Sequence, residues 1–233
     1  MNSAVVDAEA LGEFLDKAEP LLDSAVLAAL DRSLAARTER VRAADLPWEA
    51  RWRLAPAGRR VGPEDRARWE PELEPVWRLA AEGRADELMA QLERRAPAPP
   101  PWLLDWATYW LYLRHPRFAW WARWVYLQDG GTGALPLVTG DMSDMDRAGV
   151  AEAYGAVQQE VRFLGSVLES THRLGAVSDD HRPMVALAAV YAVYMFTMSA
   201  WKLSEEFTKV FPPFPVVVST LLGVNRWEAR HSG

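Results

Sequence analysis

Cysteine is absent from the 233-residue chain. That excludes a disulfide framework, thiolate catalysis and thiolate-ligated zinc or iron–sulfur centres. Isoleucine is absent too, so the core has to be built from Leu, Val, Ala and aromatic rings. Lysine is scarce: three of the 26 basic residues are Lys and the rest are Arg. Asn occurs twice and Gln four times. A thermophile has few such thermolabile residues, and a GC-rich genome gives the same Arg and Ala bias; neither bears on function. Residues 1–20 carry acids early, with no basic n-region and no long apolar run. They do not read as a signal peptide, and a cytoplasmic location is expected.

Half of the residues are apolar and a quarter are charged, the balance of a globular protein with one large domain or two small ones. The formal net charge of −6 weighs against a dedicated duplex-DNA binder, which is basic.

Helix signals dominate, and the fold class expected is mainly α: helical hairpins, a C-terminal helix bundle and one small β-hairpin near 120–138. Ser3 is read as the cap of a first helix to about Lys17, and Pro20 as the first residue of a second. Val26, Leu30, Leu34 and Val41 then mark an apolar stripe. Residues 74–95 read as two short helices meeting near Gly83, with no second copy at a fixed period and hence no solenoid. The run APAPPP at 96–101 favours extended backbone. It is read as a linker between an N-terminal helical region, 1–95, and a C-terminal region, 102–233. Trp102–Leu113 reads as a helix. The apolar runs flanking Asp129-Gly130-Gly131-Thr132-Gly133 suggest the hairpin. Ser143 or Asp144 would cap a helix to about Leu174, seamed by Val150, Tyr154, Val157, Val161, Leu164 and Leu168. A last long helix from Met184 would be seamed by Leu187, Tyr191, Tyr194, Met198 and Trp201.

Residues 184–201 contain no charge and would span about 27 Å as a helix, just enough to cross a bilayer. Five Ala, two Tyr and no charge asymmetry at the flanks favour a helix buried on all sides over a membrane span.

No catalytic constellation stands out, so the reading leans away from an enzyme. Glu169-x-x-His172 has the spacing of di-iron bundles, but such a site needs a second pair and two more carboxylates, and the one further match, Glu228-x-x-His231, lies at the end of the sequence, where chains fray. A surface ion pair of Glu169 with Arg173 explains the spacing as well. Residues 141–149 are Asp-rich but fail the ligand positions of a calcium loop. Residues 129–133 lack the Lys-Ser/Thr of a phosphate-binding loop. No metal and no cofactor is assigned.

What the chain has in excess is tryptophan next to arginine. Six of its twelve Trp lie in residues 101–127. The stretch 114–124 has three Arg, no acid and four aromatics; 47–69 has six Arg against three acids. The candidate binding residues are Trp102, Trp106, Trp110, Arg114, Arg117, Trp120, Trp121, Arg123 and Trp124, with Trp52, Arg59 and Arg60. A Trp buries on the order of 200 Å², so most of these rings belong in the core, with Arg stems packed on them. The remainder suits an interface, where Trp and Arg are enriched. The leading expectation is therefore an interaction or scaffold subunit, with a protein partner or a homo-oligomer. A second is a binder of single-stranded nucleic acid, RNA or an anionic aromatic ligand. A third is a helical-bundle enzyme, possibly using a metal.

Overall fold

A computed structural model describes residues 6–43, 46–94, 98–140, 148–202 and 212–228. The helical class holds. Ten α-helices lie among the described residues: α1 Ala8–Ala18, α2 Ser24–Ala43, α3 Trp48–Leu54, α4 Pro63–Glu82, α5 Ala85–Glu93, α6 Pro101–Arg114, α7 Val150–Ser170, α8 Arg182–Lys202, α9 Phe214–Leu221 and α10 Asn225–Glu228.

The ends of these helices follow local chemistry, and several differ from the sequence reading. Ser3 lies outside the described residues. It is Asp7 that caps α1, its Oδ1 accepting the Glu9 and Ala10 amides at 3.0 Å each, which satisfies donors the first turn leaves free. Pro20 sits in a 3₁₀ turn, Glu19–Leu21; α2 starts later, with Asp23 Oδ1 accepting the Val26 amide at 2.8 Å. Helix α4 begins at Pro63 and runs through Pro71 and Pro75. Pro71 is exposed and Pro75 half-buried, so the carbonyls that lose a donor lie near water. Gly83 then turns the chain with φ +72°, and the Arg84 amide donates back to the Leu79 carbonyl at 3.0 Å, closing the α4–α5 hairpin. Pro101 is helical, opening α6, where its missing N–H costs nothing.

Helix α6 is the central element. Residues 105–113 are all buried, with α2 and α4 packed against it. The N-terminal half of α8 is a second enclosed strut: Met184–Val190 are buried without a break, between α1, α7 and α9. Its Ala residues let those helices approach closely. The outer half of α8 is not seamed as expected: Tyr194 and Met198 are exposed. Among the described residues no helix is long and apolar enough to cross a membrane.

Helix α7 buries the expected seam from Tyr154 to Leu168. It ends at Ser170, short of Leu174, because His172 and Leu174 take positive φ. The expected caps Ser143 and Asp144 lie outside the described residues.

The β-hairpin expected near 120–138 does not form. A single bridge joins Leu127 and Thr132. Trp120 and Trp121 are both buried, as are Val125 and Tyr126, so side chains enter the core in pairs and not with the alternation a strand imposes. The backbone there is held by other means. The Trp121 amide donates to Thr108 Oγ1 at 3.0 Å, and the Trp121 Nε1 donates to the Tyr126 carbonyl at 2.9 Å. Gly133 lies so close to the Val125 backbone that a Cβ would stand 2.5 Å from its carbonyl oxygen.

Candidate functional site

Most of the tryptophans are structural. Trp52, Trp106, Trp110, Trp120 and Trp121 are at most 5% exposed, whereas Trp102 and Trp124 keep part of their surface. The rings form a connected series through the protein. Trp52 meets Trp106 at 5.7 Å between centroids, and Trp106 meets Trp110 at 6.4 Å. Tyr109 joins Trp110 to Trp120 at 5.2 and 4.9 Å. Trp120 then meets Trp124 at 5.7 Å and Trp124 meets Tyr191 at 6.4 Å. The tilted and edge-on angles are those aromatic quadrupoles prefer.

Polar handles anchor this series. Trp120 Nε1 donates to Asp105 Oδ1 at 2.8 Å. Trp227 Nε1 donates to the Tyr109 hydroxyl at 2.9 Å. Burial holds the phenols of Tyr109, Tyr112 and Tyr154 above their usual range, opposed at Tyr109 and Tyr112 by the charge of Arg37.

The candidate arginines part company. Arg114 lies over Trp77 at 5.1 Å and Arg117 over Phe118 at 5.0 Å, guanidinium on ring in both cases. The side chains of Arg59 and Arg60 lie outside the described residues. Arg51, which the sequence did not single out, is the buried Arg among the described side chains of its stretch. It packs 4.1 Å from the Trp77 ring and pairs with Glu74 at 2.9 Å.

Two concavities are lined by the Trp/Arg combination: one holds Trp121 and Arg123 together with Glu93 and Asp129, and the other holds Trp120, Trp124 and Arg123; the second is the candidate cleft. It encloses about 500 Å³, within the range of small-molecule sites. Trp120, Arg123 and Trp124 come from the loop after α6. Leu127 and Thr132, the bridged pair, form one wall. Tyr191 comes from α8, Leu221 from α9 and Arg226 from α10. Arg123 is exposed; Arg226 is half-buried and donates from Nη1 to the Ala55 carbonyl at 3.2 Å. Trp124 Nε1 is buried and has no acceptor among the described residues. Among the described residues no carboxylate lines this cleft. Four other concavities along the described surface each include at least two acids.

No protein-family model, curated protein or solved structure matches the chain. The site therefore stands on its own geometry.

The metal spacing comes to nothing. Glu169 is exposed on α7, and His172 is exposed beyond the helix end. Arg173 does not pair with Glu169. It bridges to Asp16 of α1 at 2.6 Å and to Glu19 of the following turn at 2.8 Å. Among the described residues no three ligand-type side chains converge.

Tyr191, Leu221 and Arg226 were missed by sequence reasoning because they lie 67 to 102 positions beyond Trp124. The chain carries no local signal for their approach. The one hint is Asn225-Arg226-Trp227, an Arg beside an aromatic, as in the stretches already singled out.

Proposed function

We propose that the protein binds an anionic ligand with a planar aromatic part, of the nucleotide kind, in the cleft between Trp124, Tyr191, Arg123 and Arg226. The observation that carries this is the cleft's composition. In a chain of net charge −6, its described lining has three rings, two guanidiniums and no carboxylate. Rings offer a stacking face to any base, and Arg offers planar donors to phosphate. The net charge favours a compact ligand over a long polyanion, which would meet repulsion along the rest of the surface.

The test is quenching of Trp fluorescence by nucleoside monophosphates, with the uncharged nucleosides alongside. The monophosphates should bind at least tenfold more tightly, the ratio expected for one charge-assisted contact of about 1.5 kcal/mol. Arg123→Gln should remove most of that ratio without lowering the melting temperature, since Arg123 is exposed. Trp124→Leu should weaken nucleotide and nucleoside alike. Equal binding of charged and uncharged forms, or none at millimolar concentration, ends the proposal.

A second reading, a subunit of a larger complex, has one observation in its favour. Tyr194 and Met198, one turn apart on α8, are 37% and 36% exposed and continue the aromatic surface outward from Tyr191. Exposed apolar stripes of this kind are used by partner chains. Native mass spectrometry of protein purified gently from its host separates the two. A small adduct on the 26.2 kDa chain supports the ligand, and a defined heteromer supports the subunit.

A further inference from the structure

Arg37 is 3% exposed; its Nη1 donates to the Leu222 carbonyl at 2.6 Å, and the guanidinium lies 5.6 Å from the Tyr109 ring, whose hydroxyl is its other polar neighbour. Its Nε and Nη2 have no acceptor, and no described carboxylate pairs with it. Those two nitrogens form the side edge of the guanidinium, the fork that takes two oxygens of one oxyanion. The next residue, Thr38, is 6% exposed, and its hydroxyl also has no partner. Two consecutive buried polar groups on α2 thus lack what burial demands of them.

His181 lies close by. It is 3% exposed and stands just before Arg182, the first residue of the 21-residue α8. The Tyr112 hydroxyl lies 3.1 Å from its Nδ1. That hydroxyl has no other partner, so it donates to Nδ1; the reverse arrangement would strand a buried O–H. The imidazole proton therefore sits on Nε2. Thr38, His181 and Arg42 line one concavity of about 420 Å³. Thr38 offers a buried hydroxyl at its wall, His181 its ring, and Arg42 a guanidinium whose Nε donates to the Arg114 carbonyl at 2.8 Å, beside the positive end of the α8 dipole; Arg37 lies outside the lining. Glu39 and Asp180 also line it, both exposed, and Asp180 is felt at His181. Ser178 is not available, because its hydroxyl and amide are bound to Asp31 at 2.7 and 3.1 Å.

We infer that this concavity is an oxyanion site of the phosphate type, held by Thr38, His181 and Arg42 with the unpaired charge of Arg37 behind them. It is separate from the aromatic cleft and does not rest on the nucleotide reading. An anion there would bring the charge that the buried guanidinium lacks.

The test is thermal unfolding of the full chain in rising inorganic phosphate or glycerol phosphate, against sodium chloride at matched ionic strength. A ligand that binds only the folded state raises the melting temperature in a saturable way. Phosphate should do so and chloride should not. A response to free phosphate alone identifies the ion as occupant, and a response to glycerol phosphate identifies a monoester. Thr38→Val keeps the side-chain shape and should weaken binding about tenfold, the loss of one hydrogen bond. Arg42→Gln, at an exposed position, keeps the test open if Thr38→Val does not fold, and should weaken binding similarly. Arg123→Gln should leave the response intact. The inference is overturned if phosphate gives no rise beyond that of chloride, or if the folded Thr38 and Arg42 variants respond like the parent. It is also overturned if Arg123→Gln abolishes the response, which would place the anion in the aromatic cleft.

Discussion

Trp110→Phe and Trp120→Phe make a matched pair. Both rings are interior, at 0% and 1% exposure. Each change replaces an indole by a phenyl and gives up about 50 Å² of buried apolar area, or about 1.3 kcal/mol. The polar atoms differ. Trp120 Nε1 is bonded to Asp105 Oδ1 at 2.8 Å, and Asp105 is 1% exposed. Removing that donor from a buried carboxylate adds about 2 kcal/mol. Trp110 Nε1 is buried with no acceptor, so its removal relieves about 1 kcal/mol or more. The expected costs are about 3 kcal/mol for Trp120→Phe and near zero for Trp110→Phe. Over 233 residues, an unfolding entropy of about 2.1 cal/mol/K per residue turns that difference into about 6 °C. Ring contacts pull the other way. Trp110 meets Trp77, Tyr109, Trp106 and Trp227 within 6.4 Å, and Trp120 meets only Tyr109 and Trp124 among the described rings. Urea unfolding with unchanged m-values decides which effect wins. If Trp110→Phe is as destabilising as Trp120→Phe, ring contacts govern this core and the hydrogen-bond argument is wrong.

Three further outcomes are expected. Burial and the charge of Arg37 hold the His181 imidazole below its usual range, so below pH 6.5 the unfolded chain takes up a proton that the folded chain refuses. Stability is then full above about pH 6.5 and falls as the pH drops toward the folded value; urea midpoints from pH 7.5 to 5.5 should show this slope, and His181→Gln should flatten it. Gly83→Ala forces a left-handed φ of +72° on a residue whose Cβ would sit 3.0 Å from His115 Nε2, which predicts a loss of about 1–3 kcal/mol by calorimetry. Asp7→Ala removes the α1 cap and should cost about 1 kcal/mol, while Asp7→Asn should cost much less; equal losses would mean that the cap oxygen does not matter.

The fold was legible where the sequence is periodic. The α7 seam at Tyr154, Val157, Val161, Leu164 and Leu168 is buried as the spacing requires, and Gly83 does close a helical hairpin. Legibility failed where a local rule met a tertiary demand. The runs around Asp129-Gly130-Gly131-Thr132 have strand propensity, but two adjacent Trp and an adjacent Val-Tyr pair must all reach the core, which no alternating strand allows. Pro71 and Pro75 look like helix stops, yet α4 carries them on a face where the broken bonds lie near solvent. Pro101 looked like the end of an extended run and proved to be the start of α6.

The site was legible by composition and not by position. Trp/Arg richness pointed to 102–124, but it could not say which rings are walls and which are core. Trp106 and Trp110 sit on a helix with apolar neighbours on every side, so they are sealed; Trp124 follows a turn and meets Tyr191 at the surface. Four of the ten lining residues come after 190, and their approach depends on α9 packing on α8. The unpaired fork of Arg37 was not legible at all, since an Arg in the second half of an amphipathic helix reads as solvent-facing until Leu222 and Tyr109 are seen to cover it. In an acidic chain the two features share one logic: each sets Arg side chains beside groups that suit a negatively charged ligand, rings in the cleft and buried polar groups behind Thr38.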